Sequence, residues 1–305
     1  MSAAATLSER AAAWGYLGAW RAVGRMSEPR AQRLFARHAD RADRRDGRGV
    51  QTLRANLAVV RPDLDDDGLE ELVRAGMRSY LRYWAEAFRL PRWPVDDLVS
   101  RTLTRDEPRL RTPYDQGRGV LAVLPHQGNW DWAGAWACAT GMPVLTVAER
   151  LRPERLYDEF VAFREGLGMR ILPLTGSADT TAQLERRLRE GGFVCLLADR
   201  HLGGADVEVT LCGRPVRMPI GPALLAQRTG AALVPSTTAY DGPRLRITFH
   251  EEVLPGDPQR TTQQVADAFT TALRDDPADW HMLQRIFTGV EPRPRTSATR
   301  VTGAR

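Results

Sequence analysis

The chain has 305 residues, 43% of them hydrophobic, which suits one large domain with a substantial core and excludes a disordered chain. Three cysteines, Cys138, Cys195 and Cys212, form an odd and sparse set, so neither a disulfide scaffold nor a zinc site is expected. All 43 basic residues are arginine, and the net charge of +5 is unevenly placed: residues 1–60 carry 11 arginines against 5 acids, residues 61–305 carry 32 against 33. A basic end of this kind suits a polyanionic partner, lipid headgroups or nucleic acid, and equally a solvated helix face.

Residues 7–90 read as helices. In the first, Trp14, Tyr16, Leu17 and Trp20 crowd beside Arg21 and Arg25. That composition fits a helix lying at a membrane interface, with packing on the main domain as the alternative. Val50, Leu53, Leu57 and Val60 recur at helical spacing, as do Leu69, Leu72, Val73, Gly76, Met77, Tyr80, Leu81, Trp84 and Phe88. Pro91 and Pro94 are expected to end that helix. No segment reaches the roughly 18–20 uncharged apolar residues of a transmembrane helix, and residues 1–20 make a poor signal peptide.

From about residue 117 short apolar runs alternate with helical stretches. Strands are expected at Gly119–Leu124, Pro143–Val147, Arg170–Leu174, Phe193–Ala198, Val207–Leu211, Ala232–Thr238 and Leu245–His250. Helices are expected at 129–140, 153–167, 178–190, 219–229 and 261–274. The alternation predicts an α/β fold: a central mixed, largely parallel sheet flanked by helices, with an N-terminal helical annex. The expected organisation is one domain over 1–290, helical and membrane-associating over 1–95 and α/β over 110–290, followed by a loose tail over 291–305.

The segment Gly119-Val-Leu-Ala-Val-Leu-Pro-His126-Gln-Gly-Asn-Trp-Asp131 carries the chemistry. A buried strand ends at Pro125, and a histidine sits past its C-terminal end, where open α/β sheets bind ligands. Gly128 permits a tight turn, Asn129 can cap the next helix, and Asp131 falls in its first turn. An imidazole with a carboxylate on its second nitrogen can take the proton from an alcohol as it attacks an acyl group. Amides at the helix start near Asn129 suit the oxyanion. The spacing alone is not decisive, because His38–Asp43 and His201–Asp206 repeat it. His38 lies in an arginine-rich helix with no strand before it. No helix start follows His201.

The segment His126-Gln-Gly-Asn-Trp-Asp131 resembles the His-x-Gly-Asn-Trp-(Asp/Glu) signature of the lipid A biosynthesis acyltransferase family. Leu211-Cys-Gly-Arg-Pro-Val-Arg-Met-Pro-Ile-Gly-Pro-Ala, running on to Arg228-Thr-Gly-Ala-Ala-Leu-Val-Pro235, resembles its second block. Within the family the likeness is nearest to the actinobacterial branch acting on phosphatidylinositol mannosides, through 79–91, Thr146–Arg150, Phe163–Gly168 and Ala278–Gln284. The resemblance implies transfer of a palmitoyl group from acyl-CoA, as co-substrate, to a mannose hydroxyl of such a glycolipid. It implies His126 and Asp131 as the catalytic pair. Asn129, Glu149, Arg164, Asp199 and Arg200 are the expected substrate-binding residues, with Asp199 standing where the family usually carries glutamate.

Trp130, Trp132 and Trp136 are candidate walls for an acyl chain, with core packing as the alternative. The basic cluster Arg150, Arg152 and Arg155, and also Arg214 and Arg217, are candidate phosphate contacts or a solvated face. His281 is expected to be a packed helix residue. No metal and no cofactor is expected, no nucleic-acid motif appears, and the expected partners are acyl-CoA, a glycolipid acceptor and an anionic membrane surface. The expected location is peripheral, on the cytoplasmic face of the cell membrane. Competing readings are transfer to another lipid acceptor, such as a lysophospholipid or a lipid A-type glycolipid, and an acyl-carrier protein as donor. Two further classes are a non-catalytic lipid-binding protein and a thioester hydrolase built on Cys138.

Overall fold

The computed structural model describes residue 15 and residues 18–150, 154–174, 179–201 and 203–295. Residues 18–25 are helical, and three helices follow: α1 (Glu28–Arg45), α2 (Arg48–Val60) and α3 (Asp66–Ala87). Asp65 caps α3 by accepting from the Gly68 amide at 2.8 Å, and the helix stops before Pro91 as expected. A short helix, α4 (Val95–Ser100), leads into β1 (Thr102–Arg105) and α5 (Pro108–Asp115). Then come β2 (Val120–Leu124), α6 (Trp130–Ala139), β3 (Val144–Ala148), α7 (Glu154–Glu165), β4 (Arg170–Pro173), α8 (Thr180–Arg189) and β5 (Phe193–Leu197). A hairpin of β6 (Asp206–Leu211) and β7 (Arg214–Pro219) precedes α9 (Gly221–Thr229), β8 (Ala232–Asp241), β9 (Arg244–Phe249) and α10 (Pro258–Asp275).

Seven strands form one sheet in the order β1-β9-β8-β2-β5-β3-β4, with every neighbouring pair parallel except β8 and β9. This is the expected largely parallel α/β sheet with N-terminal helices. Strand β2 sits at its centre and is buried throughout. Its side chains alternate: Leu121 and Val123 join the core beneath α2, α3, α8, α9 and α10, while Val120, Ala122 and Leu124 join the core shared with α6. Helix α3 reaches both cores, with Leu69, Val73 and Met77 in the first and Tyr83 and Ala87 in the second.

All twelve strands and helices expected beyond residue 117 are found, with boundaries shifted by up to three residues, and four elements were not expected. Strand β1 is a half-buried edge with no apolar run. Strand β7 buries Val216 and Met218, but Pro215 and Pro219 mask its alternation. Helices α4 and α5 span only 6 and 8 residues, too short for a periodic signal.

Residues 293–295, at the start of the expected loose tail, bond to the N-terminal helices. The Arg293 amide donates to Gln51 O at 3.0 Å, and the Arg295 amide donates to Asp46 Oδ2 at 2.9 Å. Arg295 also pairs with Asp43 and Glu70, both at 2.7 Å. These bonds close over Arg54, whose side chain is 1% exposed and is held by Asp46 at 2.7 Å, Glu70 at 2.6 Å and Arg293 O at 2.8 Å. Residues 296–305 lie outside the described part.

Among the described residues no helix is long and apolar enough to cross a membrane. Trp20, expected at an interface, packs on Phe88, Phe160 and Phe163 with ring centroids 4.9, 4.9 and 5.2 Å away. The packing alternative holds for it; Trp14, Tyr16 and Leu17 lie outside the described residues. Replacing Arg54 with alanine leaves Asp46 and Glu70 facing each other without their shared cation. Urea unfolding is expected to show a loss of about 3 kcal/mol, and a change under half of that would mean the cluster does not hold the helices.

Candidate active site

Strand β2 delivers His126 to the C-terminal edge of the sheet, two residues past Leu124. Parallel pairing with β5 sets Leu124 beside Leu197. Carried two residues further, the same register sets His126 beside Asp199. The His126 ring places Nδ1 2.5 Å from Asp199 Oδ1, and the His126 amide donates to Oδ2 at 2.9 Å. Trp280 Nε1 donates to the same Oδ2 at 2.9 Å. Asp199 is wholly buried. Burial alone would raise its pKa, but the charge of the His126 ring and the bonds from His126 and Trp280 outweigh it, and the net shift is downward. The carboxylate therefore stays ionised, keeps the proton on Nδ1, and leaves Nε2 as the basic nitrogen.

This corrects the expected pairing of His126 with Asp131. Asp131 lies in the first turn of α6, and its carboxylate lies between α3 and α7. Arg164 Nε donates to Oδ1 at 2.6 Å, and Tyr83 Oη donates to Oδ2 at 2.8 Å. Burial works against the Arg164 charge, but Asp131 more than offsets it, and the guanidinium pKa is raised. Burial, reinforced by Asp131, holds the Tyr83 phenol far above its ordinary value, so it acts as a donor.

Asn129, expected to contact substrate, is fully buried and internally engaged. Its Oδ1 accepts from the Trp132 amide at 3.0 Å and caps α6, while Nδ2 donates to Glu86 Oε2 at 3.0 Å. Tyr240 Oη donates to the same oxygen at 3.0 Å, and Arg82 Nε to Oε1 at 2.7 Å. Burial raises the Glu86 pKa against the pull of Arg82, Asn129 and Tyr240. The turn fits the sequence: Gly128 has φ +59°, and a Cβ there would sit 2.6 Å from Thr238 O. The cap leaves the amides of 130 and 131, at the positive end of α6, as the ones an oxyanion could meet.

A cleft of about 700 Å³ opens on His126. Its lining includes the apolar Val147, Leu184, Leu196, Leu224 and Leu225 and the charged Glu149, Arg164, Arg200 and Arg228. Arg200 pairs with Glu149 at 3.6 Å and with Gln284, so Glu149 and Arg164 do not pair with each other. Among the three tryptophans only Trp130 lines the cleft. Trp132 and Trp136 pack in the core with α6, Trp132 bonding Thr102 Oγ1 at 2.8 Å. Among the described residues no group of His, Cys, Asp or Glu is placed to hold a metal ion.

The buried His–Asp dyad at a sheet edge beside an apolar cleft suits acyl transfer, and related sequences agree. Residues 2–288 match the bacterial lipid A biosynthesis acyltransferase family. This chain belongs to that family. It is 43% identical over 273 residues to the phosphatidylinositol mannoside acyltransferase of Mycolicibacterium smegmatis, covering 88% of this chain and 89% of that protein. It is 38% identical over 296 residues to the enzyme of that name from Mycobacterium tuberculosis, covering 92% and 89%. The protein is an acyltransferase.

The rival sites in the acyltransferase are peripheral. His38 bonds Leu34 O in its own helix at 2.8 Å. His201 does meet Asp206, at 2.7 Å, but on the β6–β7 hairpin rather than in the cleft. Burial raises the Cys138 thiol and pushes Cys195 and Cys212 up to about 12 and about 11, so none supplies a thiolate near neutral pH. Arg150 is an exposed partner of Glu154, and Arg217 of Asp206; Arg214 is exposed, and Arg152 lies outside the described residues.

Tyr83, Glu86, Tyr240 and Trp280 were not expected at the site. Tyr83, Glu86 and Trp280 fall in the stretches 79–91 and 278–284 that carry the family resemblance, the signal that could have found them; Tyr240 carries none. His281 is packed, as expected, but follows a 3₁₀ turn (Pro277–Asp279) rather than lying in a helix. Asp199→Asn is expected to lower kcat about 10³–10⁴-fold by releasing the tautomer, with little change in melting temperature. Asp131→Asn strands the buried Arg164 and is expected to lower the melting temperature along with activity. Equal kcat for wild type and Asp199→Asn would rule out the dyad.

Proposed function

We propose that the acyltransferase moves a fatty acyl group, palmitoyl, from acyl-CoA to a mannose hydroxyl of a phosphatidylinositol mannoside, with His126 as general base. The observation that carries this reading is the His126 ring, tied by Nδ1 to buried Asp199 with Nε2 left for an alcohol at the cleft. The acceptor class rests on the names of the two mycobacterial relatives.

In the proposed step Nε2 takes the hydroxyl proton while the alcohol oxygen attacks the thioester carbonyl carbon. The first-turn amides of α6 face the developing oxyanion. The C–S bond then breaks, and the imidazolium returns its proton to the departing thiolate. The leucine and valine side chains of the cleft suit the acyl chain, each buried methylene contributing about 0.8 kcal/mol. Arg200 and Arg228 offer forked donors to phosphate oxygens of the donor or the lipid. Asp131 holds Arg164 at the cleft, which makes it a positioning residue in this reading.

The exposed arginines of α1, Arg30, Arg33, Arg37, Arg41 and Arg44, make the surface we assign to anionic headgroups. The protein would act as a peripheral enzyme on the cytoplasmic face, where acyl-CoA meets the lipid.

Mass spectrometry of products from palmitoyl-CoA and a mannosylated phosphoinositide is the decisive measurement. A palmitoylated mannoside is expected from wild type, and His126→Ala should lose at least about 10³-fold in rate. Product confined to a lysophospholipid, or full turnover by His126→Ala, would refute the reading. Cosedimentation with anionic vesicles should fall steeply as salt rises and should weaken when Arg33, Arg37 and Arg41 become glutamine. Binding indifferent to both would remove α1 as the membrane surface.

A further inference from the structure

Two side chains in the cleft each carry a buried polar atom with no hydrogen-bond partner among the described residues: His281 Nδ1 and Trp130 Nε1. His281 is 7% exposed. Its ring centroid lies 6.1 Å from that of Trp130, which in turn lies 5.5 Å from that of His126. Native interiors rarely leave such atoms unmatched, and those that remain in a binding cleft are commonly matched by the ligand.

The chemical sense of each atom is fixed. Trp130 Nε1 carries a hydrogen and can only donate. For His281 the surrounding bonds decide. Ser79 Oγ donates to Asp279 Oδ1 at 2.6 Å, so its oxygen is left to accept from His281 Nε2 at 3.0 Å. Asp279 Oδ2 is held by the Tyr240 amide at 2.7 Å. The proton therefore sits on Nε2, and Nδ1 presents a lone pair. Burial, and then the nearby His126, push the His281 pKa down to about 3, so the ring is neutral at physiological pH. The His281 amide donates to His126 O at 2.8 Å, which locks the two histidines into one frame.

An acceptor nitrogen and an N–H donor on rings whose centroids lie 6.1 Å apart match hydroxyl groups, which both donate and accept. An ester or thioester carbonyl could satisfy only the tryptophan, and an alkyl chain neither. We propose that His281 Nδ1 accepts a hydrogen bond from a non-reacting hydroxyl of the acyl acceptor, with Trp130 Nε1 donating to that oxygen or its neighbour. His281 is then a specificity-determining residue that selects a polyhydroxylated, sugar-bearing acceptor and sets which of its hydroxyls faces His126. This rests on the acceptor class argued above.

The test is a cycle between His281→Gln and a panel of mannosides each lacking one hydroxyl. Glutamine can still reach Ser79 but leaves nothing at the Nδ1 position. Wild type is expected to lose about tenfold in kcat/KM for one deoxy acceptor, the worth of one lost hydrogen bond. His281→Gln should lose a similar factor on the full acceptor, suffer no further loss on that analogue, and keep its KM for acyl-CoA. Trp130→Phe, which removes only the N–H from a comparable ring, carries the same cycle if His281→Gln does not fold. Deoxy penalties that persist in full in both variants overturn the contact and leave the acyl-transfer reading standing. A wild-type enzyme that acylates no mannoside in the panel overturns the acceptor class and this contact with it.

Discussion

The arrangement at the sheet edge depends on one buried carboxylate. Asp199 has no access to water, and an isolated ionised carboxylate in that position would be strongly destabilising. Three donors, the His126 ring, the His126 amide and the Trp280 indole, satisfy its two oxygens. The same three bonds fix the His126 tautomer, aim its Nε2 at the cleft, and bind the 280s segment to the end of β2. A demand for stability and the tautomer that the proposed general base needs are met by one set of contacts.

The N-terminal helices are part of this site rather than an accessory. Helix α3 supplies Tyr83 to Asp131, Glu86 to Asn129 and Ser79 to His281. Those contacts hold, in turn, the cleft arginine Arg164, the cap of α6 and the buried neutral histidine. A helix whose apolar stripe reads as ordinary packing thus carries, on the same turns, the polar groups that orient the cleft. The Arg54 cluster and Arg295 tie α1, α2 and α3 to one another.

The cleft combines apolar and charged walls. Aliphatic side chains from β3, β5, α8 and α9 line it together with arginines, Glu149 and His126. Such a lining offers both apolar surface and charged partners to an amphiphilic substrate. The thiols nearby take no part, because burial holds their protons on. The adjoining tryptophans Trp132 and Trp136 stabilise the sheet rather than meeting the cleft.

Local pattern determined much of this protein. The alternation of apolar runs and helical stretches fixed an α/β sheet, the end of β2 placed His126 at a ligand-binding edge, and Gly128 and Asn129 specified the turn and the helix cap. Those features depend on neighbours a few residues apart. The partner of His126 does not. Asp131 is five residues away in sequence, yet it belongs to Arg164 and Tyr83; Asp199 is 73 residues away, yet it touches the ring. Only the pairing of β2 with β5, and its parallel register, decides that, because strand order is set by how whole layers pack. The same holds for His281 and Glu86, whose roles come from long-range closure of the chain around the cleft.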